Sequence, residues 1–293
     1  MLEVREISRG FHGTKVLDGL SFDAAPGRIT GFVGANGSGK TTTMRIILGL
    51  LAADRGSVTW QGAPISQQVR QHFGYMPEER GLYPKMKVAD QIIFFGQLHG
   101  LDLATARRNT AALLDRLELS GRADDLVERL SLGNQQRVQV CVALVHEPDL
   151  LILDEPFSGL DPLAIETVLG VLRDRAARGV PVLFSSHQLE LVERLCDDLV
   201  IISGGKTAAS GDREALRSRF ATPRFELVVD GDAGWVRDLP GVTVIELDGA
   251  RVVFDATDTE LAQRVLQQAI ERGPVRAFGA VKPSLAEIFR EVI

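Results

Sequence analysis

The stretch Gly34-Ala35-Asn36-Gly37-Ser38-Gly39-Lys40-Thr41-Thr42 decides how this chain is read. It fills the phosphate-loop pattern G-x-x-x-x-G-K-[ST] with Gly34, Gly39, Lys40 and Thr41. Glycines at 34, 37 and 39 let the backbone turn so that successive N–H groups point inward around a polyphosphate. Lys40 adds a point charge aimed at the β and γ phosphates, and the Thr41 hydroxyl is placed to ligate Mg²⁺. Residues 28–33 before the loop have the apolar character of a buried strand. Residues 42–48 after it carry a helical pattern, whose positive N-terminus would face the anion.

Outward from the loop, residues 2–7 and 16–22 alternate as strands around a turn at residues 10–13, which predicts an antiparallel sheet at the N-terminus. Phe11 sits in that turn, where an aromatic can stack on a nucleotide base or simply cover a sheet edge. Downstream, residues 56–60 and 72–76 read as further strands, the second ending at Pro77. From Val88 to about Val127 the pattern is mainly helical, broken at Gly100 and Gly121, which predicts a helical insert over about residues 85–147.

Leu150-Leu-Ile-Leu-Asp-Glu155 is a short apolar strand ending in two carboxylates, predicted to lie centrally in a parallel sheet. A helix over 164–178 and a strand over 180–186 ending at His187 follow it. A short helix over 189–195 and a strand over 199–202 then lead to the Gly204-Gly205 turn. Alternating strands and helices predict a parallel α/β sheet with its ligands at the carboxyl ends of the strands, where the phosphate loop, Asp154, Glu155 and His187 all fall.

A second unit is expected over 211–293: a linking helix at 212–220, strands at 225–229, 242–247, 251–254 and 275–278, and helices at 259–272 and 284–292, with Asp248-Gly249 as a hairpin signal. This is a small α+β domain without a cluster of catalytic type, equally suited to a regulatory or dimerising role and to a stabilising one.

The chain has 293 residues, 45% hydrophobic and 25% charged, enough for one large domain and a small one. A formal charge of -6 argues against a broad nucleic-acid surface, and no nucleic-acid partner is expected. Cys141 and Cys196 lie in apolar helical patterns and read as inert core thiols of a reducing cytoplasm. No stretch approaches the roughly 18 uninterrupted apolar residues of a membrane span, so the chain is expected to be soluble on its own.

Phosphate loops of this type serve many functions, and a second motif narrows them. Residues 130–137, Leu-Ser-Leu-Gly-Asn-Gln-Gln-Arg, resemble the Leu-Ser-Gly-Gly-Gln signature of the ATP-binding-cassette (ABC) ATPases and stand just before Asp154-Glu155, as in that family. The resemblance covers residues 1 to about 210. It implies an α/β P-loop nucleotide-binding domain that uses ATP and Mg²⁺. Gly34 to Thr42 would hold the nucleotide, beside which Phe11 keeps its two readings, base stacking or edge cover; Thr41 and Asp154 would serve the metal. Glu155 would polarise the attacking water, His187 would sense the γ-phosphate, and Ser158-Gly-Leu-Asp161 would be the D-loop.

Ser131, Gly133 and Asn134 would complete the site of an opposite subunit, a second copy or a homologous ATPase docked head to tail. Ser131 and Gly133 are expected as hydroxyl and N–H donors at the start of a helix over 135–146. Leu132 and Asn134 depart from the family signature. Glu78 stands where the family commonly has a Gln, after Gly74-Tyr75-Met76-Pro77; its carboxylate can also ligate Mg²⁺ but adds negative charge beside the triphosphate. His12, His72, His99 and His146 read as turn, surface or packing residues.

The 211–293 unit resembles the extension on ATPases of bacterial export systems, most clearly at Pro283-Ser-Leu-Ala-Glu-Ile-Phe289. Together with Glu78-Glu-Arg-Gly-Leu-Tyr-Pro84 it implies the ATPase of an exporter, on the cytoplasmic face of the membrane, beside a transmembrane permease that is a separate chain. A soluble cassette acting on DNA or ribosomes is the alternative, disfavoured by a single phosphate loop and no sustained heptads. An importer ATPase is the third reading, and only the C-terminal resemblance speaks against it.

Overall fold

The structure is a computed structural model that describes residues 1–79, 81–220, 223–282 and 284–292. Arg80 of the 78–84 stretch and Pro283 of the C-terminal stretch lie outside the described residues. Two compact units divide the chain, the first over Met1–Arg213 and the second over Glu214–Glu291.

In the first unit, β1 (Leu2–Phe11) and β2 (Thr14–Ala24) form an antiparallel hairpin. Its two-residue turn is His12-Gly13, both with positive φ (48° and 82°), the geometry that matches the twist of the flanking strands. β1 thus runs four residues past the expected strand and places Phe11 at its last position rather than in the turn. β3 (Ile29–Gly34) leads through the phosphate loop into α1 (Lys40–Ile47). β4 (Arg55–Trp60) and β5 (Ala63–Pro64) complete the sheet β2-β1-β4-β5.

After α2 (Gln67–Arg70) and β6 (Phe73–Met76) come α3 (Val88–Leu98), α4 (Leu103–Arg116) and α5 (Leu132–Leu144), the helices of the insert. Asp102 caps α4 by accepting from Thr105 N at 2.9 Å. β7 (Leu150–Leu153), α6 (Pro162–Ala177), β8 (Val182–Ser186), α7 (Leu189–Leu195), β9 (Asp198–Ser203) and β10 (Lys206–Asp212) close the unit. α6 starts two residues before the expected 164, with Asp161 as cap, accepting from Ala164 N at 2.8 Å, and Pro162 in the first turn.

These strands build a six-stranded sheet in the order β10-β9-β3-β8-β7-β6. β9, β3, β8, β7 and β6 are parallel, and β10 runs antiparallel to β9. The expectation of a purely parallel sheet therefore misses β10. Its residues are mostly exposed, with only Ala209 buried, so an edge strand of this kind carries no apolar alternation to read.

The core lies between the antiparallel sheet and the parallel one. Leu2, Val4 and Ile7 of β1 and Leu17 and Leu20 of β2 meet Phe32 of β3, Met44 and Ile47 of α1, and Ile152, Leu183 and Val200 of the parallel strands, nearly all fully buried. Because β3 and α1 are anchored in this core on both sides of the loop, residues 35–39 are held at the carboxyl edge of the sheet. α6 and α7 pack on β3 and β8. Cys141 and Cys196 are buried free thiols, as expected, and burial pushes both upward in pKa.

In the second unit, which begins along α8 (Arg213–Arg219), β11 (Arg224–Val229), β12 (Val242–Asp248), β13 (Arg251–Ala256) and β14 (Val275–Ala280) form an antiparallel sheet in the order β12-β13-β11-β14. α9 (Thr259–Arg272), capped by Asp258, presses Leu261, Ala262, Val265 and Ala269 onto Phe225, Leu227 and Phe254 of the sheet. α10 (Leu285–Val292) ends the unit, and Arg224 of β11 pairs with both Asp255 and Glu287. An α+β unit is what the sequence led us to expect.

Candidate active site

Gly39 closes the phosphate loop with φ at 107°, a left-handed value that disfavours any side chain, and a Cβ there would stand 2.4 Å from Leu17 Cδ2. The loop can thus turn only because residue 39 is glycine. Helix α1 starts one residue on, not two residues later as its apolar pattern implied, so Lys40 and Thr41 belong to its first turn. No acidic residue occupies that turn itself, so its own N–H groups remain for an anion. Lys40 Nζ folds back to donate to Gly34 O at 2.7 Å and Ala35 O at 3.2 Å, and burial pulls its pKa below the usual lysine value.

A cleft of about 510 Å³ opens over this loop. Asn36, Gly37, Gly39, Lys40, Thr41 and Thr42 line it from the loop, Phe11 from the hairpin, and Glu78, Asp154 and Glu155 from the ends of β6 and β7. The guanidinium of Arg9 lies 4.9 Å from the centre of the Phe11 ring, and Phe11 is 38% exposed. The sheet therefore brings together residues from four distant stretches of sequence. Gly34, Ala35 and Ser38 shape the loop without lining the cleft. Ser38 Oγ is buried and finds no hydrogen-bond partner, a polar atom that an anion in the loop would satisfy.

β7 stops at Leu153, so the two carboxylates follow the strand rather than end it. Asp154 is buried, with Oδ2 accepting from Thr41 Oγ1 at 2.8 Å and Oδ1 accepting from Ser185 Oγ at 2.5 Å. Thr41, Asp154 and Glu78 thus present hard oxygen donors to one cleft. Among the described residues no group of three or more His, Cys, Asp or Glu is placed to hold a metal. The donor set of one hydroxyl and two carboxylates is of the kind that suits Mg²⁺, which takes one or two carboxylates and completes its shell with water and substrate phosphates.

Glu155 has φ of 52°, and its Oε2 lies 3.0 Å from His187 Nδ1. Burial raises the pKa of Glu155, with the His187 hydrogen bond, His187 and Lys40 pulling the other way. His187, at the end of β8, is 57% exposed in its side chain and faces the cleft through Glu155.

Ser131, Gly133 and Asn134 are not part of this cleft. They line a separate one of about 310 Å³ with Gly159 and Asp161. The helix there begins at Leu132, three residues before the expected start, and Ser131 is its cap, with Oγ accepting from Asn134 N at 3.4 Å. The sequence reading took the Ser131 hydroxyl only as a donor; capping also makes it an acceptor. Asn134 Oδ1 accepts from Arg137 Nη2.

Three residues around the site went unread in the sequence. Ser185 is fully buried and joins both carboxylate residues, while Gln136 Nε2 donates to Glu155 O at 3.0 Å and Gln139 Nε2 to Pro77 O at 3.3 Å. The pair of polar residues Ser185-Ser186 closing an apolar strand hinted at a polar role there, whereas the burial of Gln136 and Gln139 is set by the docking of α5. His99 and His146, read as unremarkable, stack with ring centres 3.6 Å apart and planes at 8°.

A family profile described as "ABC transporter" matches residues 17–158, and one described as "ATP-binding protein DrrA1-3-like, C-terminal domain" matches residues 211–293. The chain is 37% identical over 293 residues to the ABC transporter ATP-binding protein YhaQ of Bacillus subtilis (strain 168), covering 100% of this chain and 98% of that protein. The chain belongs to the ATP-binding subunits of ABC transporters.

This ABC ATPase is also 38% identical over 218 residues to Nod factor export ATP-binding protein I of Paraburkholderia xenovorans (strain LB400), across 73% of this chain and 72% of that one. Among solved structures it resembles the "ATP binding subunit of ABC transporter", with a TM-score of 0.70 and 34% identity over 75% of this chain and 93% of that one. As an ABC ATPase it binds and hydrolyses ATP as the ATP-binding subunit of a transporter. ABC ATPases work as dimers and with transmembrane subunits. Among the described residues no helix is long and apolar enough to cross a membrane.

Proposed function

We propose that this ABC ATPase energises an exporter whose permease is a separate membrane-spanning chain, and that it does so as a head-to-tail dimer at the cytoplasmic face. The observation that carries the hydrolytic part of the reading is the Glu155–His187 contact at 3.0 Å beside the cleft of Lys40, Thr41 and Asp154. Lys40 and the loop N–H groups bind the β and γ phosphates, and Phe11 supports the base. Thr41 and Asp154, with Glu78 at the rim, would hold Mg²⁺, which would supply positive charge to the phosphate oxygens during transfer.

Glu155 accepts a hydrogen bond from the attacking water and orients it in line with the γ-phosphorus. His187 holds the Glu155 carboxylate through Nδ1 and leaves its other ring nitrogen for the γ-phosphate. Ser131, Gly133 and Asn134 line a cleft of their own, apart from the phosphate loop, and in the proposed dimer they serve the nucleotide of the second subunit. The export direction draws on the likeness to the Nod factor export ATP-binding protein and on the profile matched by residues 211–293.

Equilibrium titration with ATP and turnover measurements on two variants test the site. Glu155→Gln is expected to bind ATP and hardly hydrolyse it, and Lys40→Ala to lose binding itself. Wild-type turnover in Glu155→Gln would remove Glu155 from the mechanism.

A further inference from the structure

Glu155 stands in the left-handed region at φ 52°, a conformation that an L-residue with a long side chain adopts at a cost and keeps only where its surroundings enforce it. The surroundings are visible on both sides of the residue. Its N–H donates to Ser185 Oγ at 2.9 Å, and the Ser185 hydroxyl proton is spent on Asp154 Oδ1 at 2.5 Å. Its C=O accepts from Gln136 Nε2 at 3.0 Å and from Ser158 N at 3.2 Å. Ser185 is fully buried and Gln136 is 4% exposed, so neither contact can be exchanged for water.

We infer that Ser185 and Gln136 are positioning residues for hydrolysis: together they clamp the Glu155 backbone so that its carboxylate meets His187 and the attacking water. The inference rests on the reading of Glu155 as the water-orienting group. Ser185 reaches it across the β7–β8 pairing, where Leu153 lies opposite Phe184, so the next residues of both strands emerge side by side. Gln136 reaches it from α5, one turn beyond the Ser131 cap. The same helix therefore presents Ser131 and Gly133 to one cleft and grips the water-orienting residue of the other. Gln139, one turn further on, holds Pro77 O beside Glu78, which ties α5 to the second carboxylate-bearing loop.

Loss of either clamp lets residue 155 relax toward right-handed angles, which turns the carboxylate away from His187 while the phosphate loop is untouched. Gln136→Met keeps the length of the side chain without the donor, and Ser185→Ala removes the hydroxyl. Each is expected to lower kcat about tenfold, the weight of one hydrogen bond felt in the transition state. Equilibrium ATP affinity should stay within about twofold of wild type, a split that a general loss of structure does not produce. In a Glu155→Gln background, where no carboxylate remains to be placed, adding Gln136→Met should reduce the residual single-turnover rate no further.

If Gln136→Met fails to fold, Ser185→Ala carries the test alone. Wild-type kcat in both clamp variants, alongside an inactive Glu155→Gln, overturns the clamp and leaves the role of Glu155 standing. ATP affinity that falls in step with kcat also overturns it and assigns both residues to the phosphate cradle. Wild-type turnover in Glu155→Gln overturns the underlying reading, and the clamp with it.

Discussion

Replacing His146 by Gln should flatten the acid sensitivity of the first unit. His146 follows α5, stacks on His99 at 3.6 Å, and shares Phe73 O through Nε2 at 3.2 Å, while Nδ1 is buried without a partner. His99 Nδ1 is in turn 2.9 Å from Gln71 O. Burial chiefly, then His99, His72 and Arg175, lowers the His146 pKa from the ordinary 6.5 to about 4, against the single opposing pull of the Phe73 carbonyl. Glu147, whose carboxylate pairs with Arg175 at 3.6 Å, is the acidic partner of that cation.

A folded-state pKa below the unfolded one means that stability is present in full above about pH 6.5 and is lost as pH falls toward 4. At about 1.4 kcal/mol per tenfold change in the protonation equilibrium, the drop amounts to about 3 kcal/mol between those limits. A glutamine can still donate to Phe73 O but has no proton to gain. Urea unfolding followed by the fluorescence of Trp60, whose ring packs edge-on to Phe73 at 5.4 Å, reads the change in a Trp235→Phe background. Between pH 7 and pH 4.5 the wild type should lose more stability than His146→Gln, by about 2 to 3 kcal/mol. Parallel pH profiles for the two proteins would refute the reasoning.

Two further predictions concern the carboxylates of the cleft. Because Glu155 must be ionised to orient water and its pKa is raised, activity should fall on acidification at a pH above the ordinary 4.5, and His187→Ala, which removes a pull in the opposite direction, should move that limb higher still in kcat measured against pH at saturating ATP. If Glu78 ligates Mg²⁺, Glu78→Gln should keep much of the ATPase activity and Glu78→Ala should need far more Mg²⁺; superimposable curves of rate against Mg²⁺ for the three proteins would show that it is no ligand.

The parts of this molecule that sequence disclosed are those whose physics is local. The phosphate loop needs only glycines, a lysine and a threonine between a strand and a helix, and α7 at Leu189–Leu195 falls where its apolar spacing puts it. Asp154, Glu155 and His187 were legible as candidates because each follows an apolar strand at the ligand-bearing edge, and Phe11 because it is an aromatic beside the hairpin turn upstream of the loop. β10 was not, since an exposed edge strand has no buried face to impose a period. Ser185 and Gln136 act through the register of β7 on β8 and the docking of α5, and neither is written into local spacing. The His99–His146 stack likewise joins the end of α3 to the end of α5 against β6, three segments far apart in sequence.

The central claim, a site shared between two subunits, is tested most directly by mixing two inactive chains. Lys40→Ala removes the phosphate lysine but keeps Ser131 and Gly133, and Ser131→Arg blocks the capping cleft but keeps the loop. Each alone should be inactive. In their mixture half of the randomly paired dimers should carry one intact composite site out of two, so the ATPase rate should recover to at most about a quarter of wild type. A mixture as inactive as its components, or full turnover by Ser131→Arg sedimenting as a monomer, would contradict the account.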